Sequence, residues 1–347
     1  MSPSKQTTGI AIGLIFGLLI GAGGMALLAP SSGSFTITSS GSTTVLPLSL
    51  EWASRIAVDW PSLRFDAVGG GSGVGQSDAA AGNVDIGASS SFPKEDYRTA
   101  NPDVHILPVS ADALGVVVNE AVNGSVMKMD VDMVVAIFAG NITTWAELAS
   151  EFNVDIAATG AINVYARSDA SGTTATFAKW LETADENPSP YENYTWGYGD
   201  DEALDWPAHI TRADGNPGVA SSVQNDVDGI GYVGLAFMEG LTQVWLYNPS
   251  IGEFIEPTVE NALKSLPETI SDPGVNLFNS GNDGAYPIAR LLFYLVNPDI
   301  VEWYIVSFLV WCLTEGQQYI PNVGYVPISG TSAADFALSV VASMSPA

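Results

Sequence analysis

The chain has 347 residues, with 11 Lys and Arg against 38 Asp and Glu and a formal net charge of −27; so acidic a balance excludes nucleic-acid binding, which needs cations to neutralise phosphates. A single cysteine, Cys312, excludes a disulfide framework and a cysteine zinc site, and His105 and His209 are too far apart for a local two-histidine metal motif. A hydrophobic fraction of 47% with nine Trp excludes disorder, and the length suits about two domains of roughly 150 residues.

Lys5 precedes an uncharged apolar run from Gly9 to Ala29, about long enough to span a bilayer. The lone cation places the N-terminus inside and the bulk of the chain outside. A cleaved signal peptide and an uncleaved transmembrane anchor compete, and the length of the run and the poor cleavage site at Ala26–Ala29 favour the anchor. No Cys follows the run, so a lipoprotein anchor is excluded. Sequons at Asn123, Asn141 and Asn193 agree weakly with export. Ser31–Ser34 is a linker.

Strand and helix patterns then alternate. Phe35–Thr38 alternates as a strand; Val45, Leu48, Trp52 and Ile56 lie on one helix face. Leu63–Val68 predicts a strand and Ser72–Ala81 a short helix. Val84–Ala88, Val104–Val109 and Leu114–Asn119 predict three short strands. Met133 and Ile137 share a helix face that Asp130 or Asp132 caps. Ile162–Ala166 predicts a strand, followed by a helix over about 173–183. Thr183–Trp206, rich in Pro, Asn, Tyr and acids, predicts a surface excursion. Val219, Val223 and Val227 mark a helix, Ile230–Val233 a strand, and Val301–Leu313 a buried helix too short to span a membrane. Trp52, Trp145, Trp303 and Trp311 sit at helix-like apolar spacing and are expected in the core. The alternation predicts an α/β protein with mostly parallel sheets.

Three loops join a strand to a helix through small hydroxyl residues or Gly: Ser40–Thr44, Gly69–Gly75 and Arg167–Thr174. A helix N-terminus offers unpaired N–H groups to an anion, Gly permits close approach, and Ser and Thr add donors without bulk. Alone, each loop reads equally as a flexible connection or a plain N-cap. Three in one chain, one led by Arg, point to an anion. Asp169 next to Arg167 is either a structural ion-pair partner or the carboxylate that orients the guanidinium on an oxyanion. There is no P-loop signature and no Gly-x-Ser-x-Gly, and two His leave little room for a Ser–His pair. Nothing among the 38 acids marks a catalytic pair.

In order and spacing these loops resemble the phosphate-binding subunit of the high-affinity phosphate ABC importer, over about residues 35–330. The carriers are Gly41–Thr44 with Pro47, Gly71–Gly73, Val84–Ser89, Ile137–Gly140 with Ile142 and Trp145, and Arg167–Thr173 with Phe177. Gly215–Asn216 with Gly218–Val219, Gly229–Val233, Tyr286–Ile288 and Gly324–Pro327 follow.

The resemblance implies a two-lobed periplasmic-binding-protein fold of type II, with 34–111 plus 240–347 as lobe 1, 112–239 as lobe 2, and 1–33 as a transmembrane anchor or signal with its linker. Phosphate would lie dehydrated between the lobes, held by Thr43, Thr44, Ser72, Ser90, Arg167, Ser171, Gly172 and Thr173, with Asp169 positioning Arg167. Two departures stand out. Ser90 occupies the position where the family often has an Asp that accepts the proton of hydrogen phosphate and rejects sulfate, and a membrane anchor replaces the lipidated Cys or cleaved signal. The expected protein is an extracytoplasmic, membrane-tethered monomer that delivers phosphate to an ABC permease, without catalysis, metal or cofactor. The alternatives are another tetrahedral oxyanion such as sulfate, or a phosphate sensor or surface protein without transport.

Overall fold

The computed structural model describes residues 34–123, 126–185, 194–270 and 272–344. The apolar run from Gly9 to Ala29 lies outside them, as does Asn193. Among the described residues no helix is long and apolar enough to cross a membrane. Asn141, the acceptor of a sequon described in full, is exposed.

One wall of the molecule is the sheet β2–β1–β3–β11–β4. Strand β1 (Phe35–Gly41) pairs in parallel with β2 (Leu63–Gly69) and β3 (Ile86–Ser89), while β11 (Ala289–Val296) runs antiparallel to β3 and to β4 (His105–Val118). Helices α1 (Leu46–Asp59) and α2 (Ser72–Ala81) form the crossovers. Leu48, Trp52 and Ile56 are buried as their spacing requires. Trp52 also donates Nε1–H to the Gly316 carbonyl at 2.8 Å, so its polar atom is satisfied in the core.

The second wall is β4–β8–β6–β7, with β6 (Asn163–Arg167) parallel to β7 (Thr211–Ala213) and to β8 (Gly229–Gly234). Helix α3 (Glu95–Ala100) precedes β4, and α4 (Val131–Phe138), α5 (Trp145–Phe152), α6 (Gly172–Leu181) and α7 (Gly215–Gln224) belong to this half. Asp130 caps α4, accepting the Met133 N–H at 2.9 Å. Strand β9 (Thr242–Asn248) pairs with β5 (Met127–Met129), β10 (Glu253–Ile255) and the end of β4. Helices α8 (Val259–Lys264), α9 (Trp303–Leu313) and α10 (Ser332–Ser343) complete the chain.

Five expectations are corrected. The sheets are mixed rather than mostly parallel, because β4 and β11 run against their neighbours. The two short strands expected over 104–119 are one 14-residue strand. Their apparent interruption, Ser110–Ala113, stays in the ladder because Ser110 Oγ donates to Val326 O at 3.0 Å and Asp112 pairs with Arg290. Val227 lies beyond the end of α7 and is exposed, and Trp303 is 45% exposed, stacked edge-on against Phe35 at 5.1 Å. The stretch around Trp206 is not a plain surface excursion: Trp196, Leu204 and Trp206 are buried, with Trp206 packed on Phe138 and Tyr232.

Strand β4 joins the two walls. Its residues up to Ala113 pair with β11, and from Leu114 they pair with β8. The C-terminal ends of β1, β2, β3 and β6 therefore face each other across one cleft, with the N-termini of α2 and α6 beside them.

Candidate functional site

The nine residues singled out by the sequence meet in this cleft. Thr43 and Thr44 lie in the turn between β1 and α1, which Ser42 Oγ braces by accepting the N–H groups of Thr44 and Val45. Ser72 opens α2 after Gly71, whose φ of +91° and whose hypothetical Cβ, 2.5 Å from Ala170 O, both demand Gly. Ser72 Oγ accepts the Ser90 N–H at 3.0 Å and lies 3.2 Å from Ser90 Oγ. Opposite them, Ser171 caps α6 by accepting from Thr173 N and Thr174 N, each at 3.1 Å. The oxygen of Ser171 is thus taken up by the helix, and only its hydrogen remains to donate outward. A Cβ on Gly172 would stand 2.6 Å from Ser72 Oγ and 2.8 Å from Ser90 Oγ, so only Gly lets the two walls approach here.

Arg167 ends β6 and is 3% exposed. Its Nε donates to Asp169 Oδ1 at 2.7 Å, and its Nη2 bonds Asp169 Oδ2 and reaches Thr43 Oγ1 at 3.0 Å. Its Nη1 is buried without a protein partner, which is costly for a charged donor unless an acceptor reaches it. Burial works to raise the Asp169 pKa, but the hydrogen bonds and charge of Arg167 outweigh it and hold the carboxyl below its ordinary range. Tyr232 OH accepts the Arg167 N–H at 3.3 Å and bonds Thr174 Oγ1 at 2.6 Å, tying β6, β8 and α6 together.

Three further groups belong to the cleft. Asn216, quoted above only as a shared position, gives Nδ2 to Thr44 Oγ1 at 2.8 Å and to Thr43 Oγ1 at 3.3 Å. Arg290 and Asp112 form a second buried pair at 2.8 Å, and Arg290 Nη2 also reaches Thr44 Oγ1 at 3.3 Å. Glu202 accepts from Gln76 Nε2 at 2.8 Å and Ser91 Oγ at 2.5 Å, and burial pushes its pKa up. The signal for Arg290 was present: a lone cation opening the apolar run Ala289–Val296 needs a buried carboxylate or an anion. Glu202 carried no such signal among its acidic neighbours.

Thr44 Oγ1 is the meeting point. It lies 2.9 Å from Thr173 Oγ1 across the cleft. Beyond these residues the cleft opens into a groove of about 990 Å3, lined in part by Ser90, Ser91, Lys94, Thr176 and Glu202. Among the described residues no group of three or more His, Cys, Asp or Glu converges as a metal would need. The arrangement offers hydroxyl donors, a helix N-terminus and a guanidinium N–H to a small oxyanion.

A family model described as a PBP superfamily domain matches residues 29–302. The phosphate-binding protein PstS of Xylella fastidiosa is 26% identical over 309 residues, which covers 85% of this chain and 82% of that protein. The protein of the same name from Methanocaldococcus jannaschii is 28% identical over 301 residues, 77% and 76% of the two chains. The solved phosphate-binding protein from Stenotrophomonas maltophilia shares the fold, with a TM-score of 0.68 at 16% identity over 88% of this chain and 93% of that one. With two α/β walls closing on one cleft and a family match over most of its length, the chain belongs to the PBP superfamily of two-lobed periplasmic binding proteins.

Proposed function

We propose that this protein binds inorganic phosphate between its lobes, outside the cytoplasmic membrane, and delivers it to an ABC-type permease. The observation that carries this reading is Arg167 Nη1, a buried charged donor without a protein partner beside Thr43. The names of the curated relatives agree with it. The ligands in this reading are Thr43, Thr44, Ser72, Ser90, Arg167, Ser171, Gly172 and Thr173, with Asp169 holding Arg167 in place. Micromolar affinity needs about −8 kcal/mol, and hydrogen bonds to a charged ligand contribute roughly 1.5–3 kcal/mol each. A handful of these donors suffices after the cost of ordering the lobes. The charge of −27 is no obstacle, since screening limits its reach to about 8 Å at physiological salt.

The strand order β2–β1–β3–β11–β4 supports a type II arrangement. We divide the lobes between Ala113 and Leu114, where β4 passes from β11 to β8, rather than at 111/112, and place the return crossing after β10 rather than at 240, because β9 pairs with β5 and the end of β4. The N-terminal run is the tether, the protein acts as a monomer, and no covalent step is involved. Sulfate is the second reading, favoured by one observation: Ser90 brings no charge to the cleft.

Calorimetric titration of the anion-stripped, full-length protein at pH 8, with phosphate and then sulfate, tests both. One-to-one binding of phosphate with weak sulfate binding is expected. A folded protein that gives no heat with phosphate refutes the reading.

A further inference from the structure

Glu202 lines the cleft outside its two arginine pairs. Asp169 is taken by Arg167 and Asp112 by Arg290. Glu202 forms no ion pair; its neighbour Lys94 is engaged by Asp200 at 2.8 Å and Asp201 at 2.6 Å. What Glu202 does hold is the hydroxyl of Ser91 and the amide of Gln76, both on the opposite wall. Its own backbone is fixed at the anion end of α6, where Ser171 N donates to Glu202 O at 2.9 Å. Ser91 stands at the same place, its N atom 2.7 Å from where a Cβ on Gly172 would lie.

The direction of each hydroxyl proton follows from its partners. Arg167 Nη2, Asn216 Nδ2 and Arg290 Nη2 only donate, so they occupy lone pairs of Thr43 and Thr44; the Thr43 hydrogen is left to donate to an anion, and that of Thr44 is turned to Thr173 Oγ1. An ionised carboxylate only accepts. Glu202 therefore draws the Ser91 hydrogen to itself, and toward any third group Ser91 Oγ presents lone pairs alone. The Ser89 hydrogen does not compete, since Ser89 Oγ donates to Ser91 O at 2.7 Å.

We propose that Glu202, acting through Ser91, determines which oxyanion this cleft accepts. The Ser91 oxygen takes the hydroxyl hydrogen of a monoprotonated tetrahedral anion. A fully ionised anion meets lone pair against lone pair, backed by the half-buried negative charge of Glu202. Ser91 and Glu202 together perform what uncharged Ser90 cannot. The inference rests on the phosphate reading, and the experiment separates their failures.

The test titrates full-length native protein, Ser91→Ala and Glu202→Gln with phosphate and with sulfate at pH 8 and fixed salt, with thermal unfolding as the check on folding. Native protein is expected to prefer phosphate at least about a hundredfold. Each variant is expected to lose at least about tenfold of that preference, mainly through tighter sulfate binding, because Gln can donate to Ser91 and Ala removes the acceptor. Ser91→Ala carries the test if Glu202→Gln does not fold. Native protein that binds neither anion refutes the phosphate reading. Native protein without a preference, a preference that survives in the folded variants, or equal weakening of both anions as a mere closing latch would give, overturns the inference.

Discussion

Truncating Arg167 to Ala separates its two roles. The guanidinium is buried, bonds Asp169 and Thr43, and directs Nη1 at no protein atom. Loss of Nη1 removes one charged hydrogen bond to the anion, about 1.5–3 kcal/mol. Loss of the full charge and of the bond that orients Thr43 brings the total to about 3–5 kcal/mol, or roughly two to three and a half orders of magnitude in affinity. The fold also suffers. Asp169, with a side-chain exposure of 11%, keeps only backbone N–H groups, its own and that of Gly215 at 3.3 Å, where it had a guanidinium, and breaking a buried pair costs up to about 3–5 kcal/mol. The sign with pH is fixed by the native shift: a carboxyl held below its ordinary range stabilises the fold above that range and loses its contribution as pH falls through the lowered pKa. In the variant, only backbone N–H groups oppose the burial of Asp169, so its share of the stability shrinks. Calorimetry with phosphate and urea unfolding, both at pH 8, measure the two effects separately. If folded Arg167→Ala binds phosphate within tenfold of native protein, the guanidinium does not face the anion and the site is misplaced.

Gly172→Ala puts a methyl group 2.6 Å from Ser72 Oγ on the opposite wall; phosphate affinity is expected to fall at least about a hundredfold while unfolding is unchanged, and X-ray scattering should show no compaction with ligand. Asp130 is pushed by burial from an ordinary 3.8 to about 6. It thus favours the fold below pH 4 and loses that contribution as pH rises through 6. Asparagine caps equally well, so Asp130→Asn should raise stability at pH 8 relative to pH 4, by on the order of 1–3 kcal/mol, and a flat difference between the two melting profiles would refute the assignment. Arg290→Met strands the buried Asp112 charge and should cost about 3–5 kcal/mol, most of it recovered by adding Asp112→Leu; a double variant no more stable than the single one would contradict the pairing.

Much of the site was legible because its parts are local. Strand, small residues and helix succeed one another within about ten residues, so the loops at Ser40, Gly69 and Arg167 announced themselves, and the Ser72–Ala81 helix lies where its pattern placed it. Asp130 was readable as a cap for the same reason. Strand β4 was misread because Asp112 looks like a break until Arg290, 178 residues later, neutralises it. Trp303 and Val227 show the converse: apolar spacing marks a helix face without saying whether another element covers it.

By itself, then, the sequence determined the α/β class, the three small-residue loops between strand and helix and the Arg167–Asp169 pair, since each depends on residues close along the chain. Only the tertiary structure decided which groups complete the cleft. Asn216 meets Thr44 across 172 positions, and Glu202 meets Ser91 across 111. Such contacts depend on how two walls close on each other. A hydroxyl becomes a donor or an acceptor only once its partner stands beside it, and no local pattern specifies that partner.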